Sequence, residues 1–444
     1  GFVLIAGICA YGPLVRVYGS REWDVMGVLC ARAGQGDAAI EWLSRAARRG
    51  AAPRYLIGRG QALGSLGRFG EAVAAFAQAH PLAPDNADLC NDMGVFLRML
   101  GRYQEALTWF DKALALRPNV KTAHSKAYTL ERLHRFDEAR AIYTAIKAAD
   151  SGNAEADLNL ALLDLLAGDF ERGLAGREAR WQSSGVSIAR SYQFSQPMWR
   201  GERPVDGKTL LVYQDEGLGD VLQFARYVPM LAAEGARVIL HVDAALIALL
   251  SRLPGVIACL PRSATQSPPF DLHCAITSLP LAFATRLETI PSAVPYLPAP
   301  EPSRRQAWER RLGPHDRMRV GLAWSGNPRH PDNHNRLVPL AMMASLLDLD
   351  ATFVSLQKDM TPEDRVAFSG LRGLVDLTAH LSDLAETAAL MSCLDLVITV
   401  DTSMAHLAGA LACPTWILLQ YTPDWRWLLG RDDSPWYPTA RLFR

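Results

Sequence analysis

The chain has 444 residues, which at roughly 150 residues per domain predicts two or three domains. Apolar residues make up 49% and charged residues 21%. Both fractions are ordinary for globular proteins and argue against a disordered, collagen-like or polytopic membrane chain. Forty-six Lys and Arg balance forty-six Asp and Glu, so no net charge attracts nucleic acid, which is not an expected partner.

The cysteines and the N-terminal segment bear on localisation. Seven cysteines are widely spread without a CxxC pair, which argues against a disulfide framework or a thiolate zinc site and favours a reducing cytoplasm. Residues 1–17 are apolar but lack a basic start and are interrupted by Gly7, Gly12 and Pro13. We expect a packed helix there rather than a signal peptide or a stable membrane span. The chain begins without Met, as a fragment would.

Small and aromatic residues recur at intervals of 33 or 34 positions in the first part of the chain. The two small-residue columns are Gly27, Gly60, Gly94, Ala127 and Ala161, and Ala39, Ala72, Ala106, Ala139 and Gly173. The aromatic columns are Phe76, Phe110 and Tyr143, and Phe69, Tyr103, Phe136 and Phe170. Such a period predicts an all-α solenoid of helical hairpins over residues 1–181.

The segment Asn91–Pro118 resembles the tetratricopeptide repeat, and its neighbours match that repeat less closely. Stacked hairpins of this kind bury their apolar faces against one another and leave a concave groove. On family precedent, the groove binds a peptide or protein partner. The alternative is that it is only the inner surface of a scaffold.

The pattern changes after a Ser-, Gly- and Pro-rich linker at 182–207. Short apolar runs then alternate with amphipathic stretches, which predicts two doubly wound parallel sheets. The first Rossmann-like lobe covers 208–290, a proline-rich interlobe linker covers 291–302, and the second lobe covers 303–444. Ligands of such folds bind beyond the carboxyl ends of the strands, so we expect a site in the crevice between the lobes.

The expected strands are short apolar runs with turn residues at their ends. In the first lobe they are Thr209–Tyr213, Val238–Val242 and Leu272–Ile276, with helices at Val221–Glu234 and Ala244–Arg252. In the second they are Arg319–Trp324, Thr352–Leu356, Val375–Leu377, Leu396–Val400 and Thr415–Leu419, with helices at Asp383–Cys393 and from Ser403.

The segment from Gln214 to Gln223 follows the first strand and precedes a helix. Gly217 and Gly219 permit a tight turn in which the backbone approaches a ligand. Asp220 lies near the helix start, where its carboxylate could face the crevice and accept a proton. It could equally cap the helix, and spacing alone does not decide between these roles.

Polar residues also follow two strands of the second lobe. Asp401 ends one strand, and Thr402, Ser403 and His406 follow it at a helix N-terminus, which suits a diphosphate. An ordinary N-cap with a half-buried histidine is the alternative. Ser325, Gly326 and Asn327 follow another strand and lead to Arg336, a possible phosphate ligand. His330, Asp332 and His334 would be weak metal ligands there, because no fourth ligand is evident.

These segments, in this order, resemble the heptosyltransferase family of glycosyltransferases from about Thr209 onward. The resemblance implies a GT-B fold, with Asp220 as the catalytic residue beside Gly217 and Gly219. It further implies donor contacts by residues of the second lobe, namely Ser325, Gly326, Asn327, Arg336, Gln357, Lys358, Asp401, Thr402, Ser403 and His406. Family members often have Lys where Arg336 stands.

The order of domains, with Pro423–Gly430, resembles bacterial tetratricopeptide-repeat glycosyltransferases and also the O-linked N-acetylglucosamine transferases. The resemblance implies an inverting enzyme that needs no metal or other cofactor. It would move a sugar from a nucleotide-sugar donor to a hydroxyl, with a protein such as flagellin, recruited by the repeats, as the expected acceptor. A lipopolysaccharide or capsule saccharide is the rival acceptor, and a non-catalytic repeat scaffold is the rival function.

Overall fold

The computed structural model describes residues 20–49, 52–183, 194–264, 266–327 and 333–444. The apolar run at 1–17, most of the linker core at 184–193, and the loop residues His330 and Asp332 lie outside them. The described residues form two compact units, which meet in sequence between Ala156 and Asp157. None of the described helices is long and apolar enough to cross a membrane.

The first unit consists of paired helices, as the repeat pattern predicts. Their bounds are α1 Ser20–Arg32, α2 Gly36–Arg49, α3 Pro53–Ser65, α4 Phe69–Ala79, α5 Ala87–Met99, α6 Tyr103–Leu116, α7 Val120–Arg132 and α8 Phe136–Ala149. The helix α9, Ala154–Leu166, begins at the end of this unit and continues into the second.

The small residues of the repeat lie where two helices of a hairpin touch. A Cβ atom at Gly60 would lie 2.8 Å from the Phe76 ring, and one at Gly94 would lie 2.7 Å from the Phe110 ring. Both rings are fully buried. The small and aromatic columns of the sequence therefore form the packed contact inside each hairpin.

Helix ends in the first unit repeat the same local devices. The Asn86 side chain accepts a hydrogen bond from the Leu89 N–H at 3.0 Å, and Asn119 accepts one from Thr122 at 2.8 Å. The turns within the hairpins need a left-handed residue, with φ of 74° at Gly67 and 72° at Gly101. His134 holds the corresponding position with φ of 56°.

The second unit begins with the rest of the last hairpin and then forms the first sheet. Helix α10 covers Phe170–Gly176 and runs into a 3-10 turn at Arg177–Trp181. The strands β1 Thr209–Tyr213, β2 Arg237–Val242, β3 Val256–Pro261 and β4 Leu272–Ala275 form a parallel sheet in the order β3-β2-β1-β4. The associated helices are α11 Leu218–Phe224, α12 Val228–Ala233, α13 Ala244–Leu250 and α14 Leu279–Ala282.

The second sheet is also parallel and has the order β10-β9-β8-β5-β6-β7. Its strands are β5 Met318–Ala323, β6 Ala351–Ser355, β7 Leu374–Val375, β8 Leu396–Val400, β9 Thr415–Leu418 and β10 Ala440–Phe443. Its helices are α15 Pro302–Leu312, α16 Asn333–Arg336, α17 Leu340–Met343, α18 Pro362–Gly370, α19 Leu384–Met391 and α20 Ser403–Ala410. The two-lobed α/β architecture predicted from the sequence is confirmed.

Three local predictions differ from the structure. The helix expected at Val221–Glu234 is broken by a 3-10 turn at Ala225–Tyr227 before α12, which carries Pro229 in its first turn. The strand expected at Val375–Leu377 instead ends at Val375. The edge strands β3 and β10 were not predicted: β3 is an apolar run that is only partly buried, and β10 alternates buried and exposed residues around Arg441.

The interlobe linker is held by side chains of the first lobe. Arg226 donates to the Pro291 carbonyl at 3.0 Å and to the Trp436 carbonyl at 2.9 Å, and its guanidinium lies 4.5 Å from the Tyr296 ring centre. The Tyr296 hydroxyl in turn donates to the Leu222 carbonyl at 2.8 Å. Arg226 thus joins the first lobe, the linker and the C-terminal segment.

Candidate functional site

The strand order places the candidate residues at two switch points. In the second sheet, β5 and β8 are neighbours whose onward connections leave in opposite directions, and the loops after them carry Ser325–Asn327 and Asp401–Thr402. In the first sheet, β1 connects to β2 on one side, whereas β4 lies on the other side of β1 after the crossover from β3, and β1 leads to Gly217–Asp220. Such points form a crevice at the carboxyl ends of parallel strands.

The turn after β1 is shaped by its own side chains. The Gln214 amide donates to the Glu216 carbonyl at 2.9 Å, and its oxygen accepts from the Asp243 N–H at 2.8 Å. The Asp220 carboxylate accepts from the Gly217 N–H at 2.8 Å, so it caps α11 from within. Gly217 has φ of −72°, an ordinary value for any residue.

Gly219 allows the two lobes to approach closely, and this role differs from permitting a tight turn. A Cβ atom at this position would lie 2.8 Å from Cδ2 of His406 and 3.6 Å from the Cα atom of Ser403. The start of α11 in the first lobe therefore packs directly on the start of α20 in the second. Glycine is required here because any side chain would push the helices apart.

Asp220 faces the second lobe, where its carboxylate forms an ion pair with Arg426. The Asp220 side chain is 19% exposed and the Arg426 side chain only 8%. The capping role and the crevice-facing role, which the sequence left open, are thus both present in one carboxylate. Its predicted role as a base stays a prediction.

Arg426 was missed by sequence reasoning, although Pro423–Gly430 carried part of the family resemblance. Its guanidinium also pairs with Asp424 at 2.8 Å and lies 4.6 Å from the centre of the Trp425 ring. Burial alone would lower the pKa of Arg426, but the carboxylates of Asp424 and Asp220 raise it above its ordinary value. A buried, permanently charged guanidinium therefore stands between the lobes.

The start of α20 has a regular cap and a buried acid. Thr402 is the N-cap, and its hydroxyl accepts from the Met404 N–H at 3.2 Å. Burial raises the pKa of Asp401 to about 6, the Asp424 carboxylate adds to the rise, and the Arg336 guanidinium opposes it. Asp401, Arg336 and Asp424 are therefore near neighbours in one electrostatic group.

His406 is a neutral, buried imidazole. Burial lowers its pKa to about 3, and the nearby Arg426 charge adds to that effect. Nδ1 of the ring lies 2.9 Å from the Tyr437 hydroxyl, and the ring stacks on Trp427 at 5.5 Å. Toward a bound anion, His406 could act as a neutral hydrogen-bonding group but not as a cation.

The loop after β5 lies beside the same helix start. The Gly326 N–H donates to the Asn333 side chain at 3.1 Å, and a Cβ atom at Gly326 would lie 3.4 Å from Thr402 Cγ2. The Ser325 N–H donates to the Gln357 side chain at 3.0 Å, which ties the loops after β5 and β6 together. Gln357 thus has a structural role in addition to its predicted one.

The remaining candidates are less closely grouped. Asn327 and Lys358 are exposed, and no described hydrogen bond or ion pair joins Lys358 to the other site residues. The suggested metal ligands His330 and Asp332, and the His334 side chain, lie outside the described parts of the structure. Among the described residues, no cluster of three His, Cys, Asp or Glu side chains is placed to hold a metal ion.

Two family models match separate parts of this chain. Residues 57–120 match the tetratricopeptide repeat family. Residues 365–439, which contain Asp401, His406 and Arg426, match glycosyltransferase family 9 (heptosyltransferase). The chain carries tetratricopeptide repeats and a glycosyltransferase family 9 domain. This domain supports a glycosyltransferase activity, while Asp220 and Arg336 lie outside the matched residues.

Two relatives are similar to this chain in sequence. Protein FlbA of Caulobacter vibrioides is 28% identical over 418 residues, which cover 86% of this chain and 68% of the relative. The CTR9 homolog of Arabidopsis thaliana is 30% identical over 119 residues, or 26% of this chain and 11% of that protein.

The solved structures align with about a third of the chain. YrrB, described as a tetratricopeptide-repeat protein with an unusual peptide-binding site, is 20% identical over 38% of this chain and 87% of its own, with a TM-score of 0.33. MamA from Desulfovibrio magneticus RS-1 is 18% identical over 37% of this chain and 92% of its own, also with a TM-score of 0.33.

Proposed function

We propose that this family 9 domain transfers a sugar from a nucleotide-sugar donor to a hydroxyl group, with inversion and without a metal ion. The observation that carries the proposal is the meeting of Asp220 from the first lobe with Arg426 and the start of α20 from the second. The reaction needs a carboxylate to take the proton of the acceptor hydroxyl and positive charge to stabilise the leaving diphosphate, and these groups lie on opposite sides of the crevice.

The donor side of the reaction would be served by the second lobe. The first N–H groups of α20 and the guanidinium groups of Arg336 and Arg426 offer positive charge to the diphosphate. As the bond between the sugar anomeric carbon and the diphosphate oxygen breaks, negative charge grows on that oxygen. These fixed groups would stabilise it in the role that a divalent cation has in other transferases.

The acceptor side would be served by Asp220. Its carboxylate takes the proton of the acceptor hydroxyl, whose oxygen forms the new bond to the anomeric carbon, and a nucleoside diphosphate leaves. The Asp220 carboxylate is occupied by its ion pair with Arg426, so this pair must open before the carboxylate can accept from the acceptor hydroxyl. The donor diphosphate supplies the competing anion that would draw Arg426 away from Asp220.

The acceptor we favour is a protein hydroxyl brought in by the repeats. Support comes from the tetratricopeptide hairpins that precede the transferase region in the same chain, since such repeats commonly bind proteins. A cytoplasmic reaction on a protein such as flagellin fits this proposal. A lipopolysaccharide or capsule saccharide remains the competing acceptor to be tested beside it.

Donor binding and transfer test the proposal directly. Isothermal calorimetry with uridine, cytidine, guanosine and adenosine diphosphate sugars, and with cytidine monophosphate sugars, should give heat with one class. That donor is then incubated with protein and saccharide acceptors in EDTA, and products are identified by mass spectrometry. Heat with no donor would favour the non-catalytic scaffold, and transfer that stops in EDTA would contradict the metal-independent mechanism.

A further inference from the structure

The crevice at the switch point of the first sheet is filled by the chain itself. Arg180, in the 3-10 turn that follows the last hairpin, has only 1% of its side chain exposed. Its guanidinium donates to the Asp215 carboxylate after β1 at 3.2 and 3.3 Å. It also donates to the hydroxyls of Thr277 at 2.9 Å and Ser278 at 2.7 Å, both after β4.

Two further residues of the same 3-10 turn complete this network. Arg177 pairs with Glu216 at 2.5 Å, immediately before Gly217. Glu178 accepts from Arg180 at 2.5 Å and from the Ser278 hydroxyl at 2.8 Å. Burial alone would raise the pKa of Glu178, but Arg180 holds it below its ordinary value, and Arg200 at 2.8 Å from Glu178 adds a third guanidinium to the three carboxylates. A fully paired network of this kind is rigid.

The same hairpin also touches the second lobe. The centre of the Phe170 ring lies 5.8 Å from that of Trp425 and 6.0 Å from that of Trp436. Trp425 directly precedes Arg426 in the sequence. Phe170 belongs to the aromatic column of the repeats, but only 1% of it is exposed. Its counterparts Tyr103 and Phe136 are only partly buried. In the last hairpin, this position of the repeat therefore contacts the second lobe of the transferase region.

We propose that the last hairpin is a positioning element of the transferase, in which Arg180 and Phe170 set the turn carrying Asp220 against the segment carrying Arg426. Arg180 holds Asp215 in the first lobe, and Phe170 packs on Trp425 in the second. Neither residue needs to touch the donor. The effect on turnover rests on the proposed function, whereas the effect on local order does not.

The test compares Arg180→Gln, Arg180→Lys and Phe170→Leu with the wild-type chain. Each variant is measured for donor Kd by calorimetry, for kcat with a fixed acceptor, and for amide hydrogen exchange in peptides covering residues 214–224 and 424–428. Phe136→Leu, at the equivalent position of the preceding hairpin, is the matched control. Arg180→Lys keeps one charge but loses the forked geometry.

We expect Arg180→Gln and Phe170→Leu to lower kcat by roughly ten- to a hundredfold, as small misplacements of reacting groups do. Donor Kd should stay within about threefold, since an unmoved donor site keeps its contacts. Hydrogen exchange in the two peptides should rise in Arg180→Gln and Phe170→Leu. The kcat and exchange of Arg180→Lys should lie between those of Arg180→Gln and the wild type, and those of Phe136→Leu should match the wild type.

Folded variants with wild-type kcat and unchanged exchange would overturn the proposal. If Arg180→Gln does not fold, because it leaves Asp215 buried and unpaired, Phe170→Leu decides the question. If the wild-type chain binds no donor, the proposed function fails, and hydrogen exchange alone decides whether the hairpin positions these segments.

Discussion

Asp220 and Arg426 form an ion pair across the two lobes of the transferase region, although 206 residues separate them in sequence. The carboxylate comes from the first turn of α11 and the guanidinium from the segment after β9. Because Asp424 shares the same guanidinium, Arg426 stays bound to the second lobe when Asp220 is removed. The pair gives the proposed chemistry a defined starting state.

Asp220→Asn should abolish transfer while leaving donor binding nearly intact. The amide keeps the shape and can still cap α11 through its oxygen, but it cannot take a proton, which is expected to cost roughly a hundred- to ten-thousandfold in kcat. Asp150→Asn is the matched control, because the Asp150 carboxylate likewise accepts from a backbone N–H, that of Gly152, but lies in the repeats and outside the transferase lobes. Initial rates and calorimetry measure the two effects, and full activity of Asp220→Asn would refute the base assignment.

Arg426→Gln should weaken donor binding. Loss of one charge-assisted hydrogen bond to a phosphate costs about 1.5–3 kcal/mol, or roughly ten- to a hundredfold in Kd. Arg441→Gln removes an exposed guanidinium from the edge strand β10 and is the control for net charge. Calorimetry with the identified donor measures both variants. A donor Kd of Arg426→Gln equal to that of the wild type would mean that Arg426 stabilises the fold without contacting the donor.

His406 should make the protein less stable in acid. Its pKa is about 3 in the folded chain against 6.5 in the unfolded chain, so the unfolded chain binds the proton first as pH falls below 6.5. The loss should amount to about 2 kcal/mol between pH 7 and pH 5. Urea unfolding of wild type and His406→Gln at both pH values isolates this term, since Asp401, with a raised pKa, has the opposite sign in both proteins. Parallel pH dependences would contradict a buried neutral imidazole.

Gly219→Ala should destabilise the contact between α11 and α20. The new methyl group would lie 2.8 Å from the buried His406 ring, and such overpacking lowers the free energy of unfolding by about 1–3 kcal/mol. Gly370→Ala, at a helix end where nothing lies within 4 Å of the new methyl group, is the control. Thermal unfolding measures both. An unchanged Tm for Gly219→Ala would show that the lobes separate without cost at this point.

The hairpin turns of the repeats offer a pair of opposite substitutions. Gly101→Ala introduces a side chain at φ of 72° with free space around it, so it should destabilise through the backbone alone by about 1 kcal/mol. His134→Gly removes left-handed strain of roughly 1–2 kcal/mol at φ of 56°, which exceeds the roughly 0.5–1 kcal/mol lost to the greater freedom of glycine in the unfolded chain, so it should stabilise by less than about 1 kcal/mol. Urea unfolding measures both changes, and shifts of the same sign would contradict this explanation.

The repeats and most strands of the transferase region could be predicted from local sequence patterns. Gly60 and Gly94 recur at the repeat interval because each hairpin must solve the same packing problem, and that constraint is local. Strands such as β1 and β8 were predicted at their exact bounds, because a buried parallel strand requires an uninterrupted apolar run. The residues after those strands were predicted as site residues because ligands bind beyond the carboxyl ends of parallel strands, and that role stays a prediction.

The side chains that meet at the site could not be paired from the sequence and are brought together by the folded chain. Arg426, Arg180 and Phe170 carry no local signal of their partners, since an ion pair or a ring contact depends on distance in space rather than on spacing in the chain. The position of Gly219 against His406 of the other lobe was likewise not predicted, and its expected approach to a ligand stays a prediction. Periodicity reports the environment of one element, whereas the charge balance between lobes exists only after both have folded.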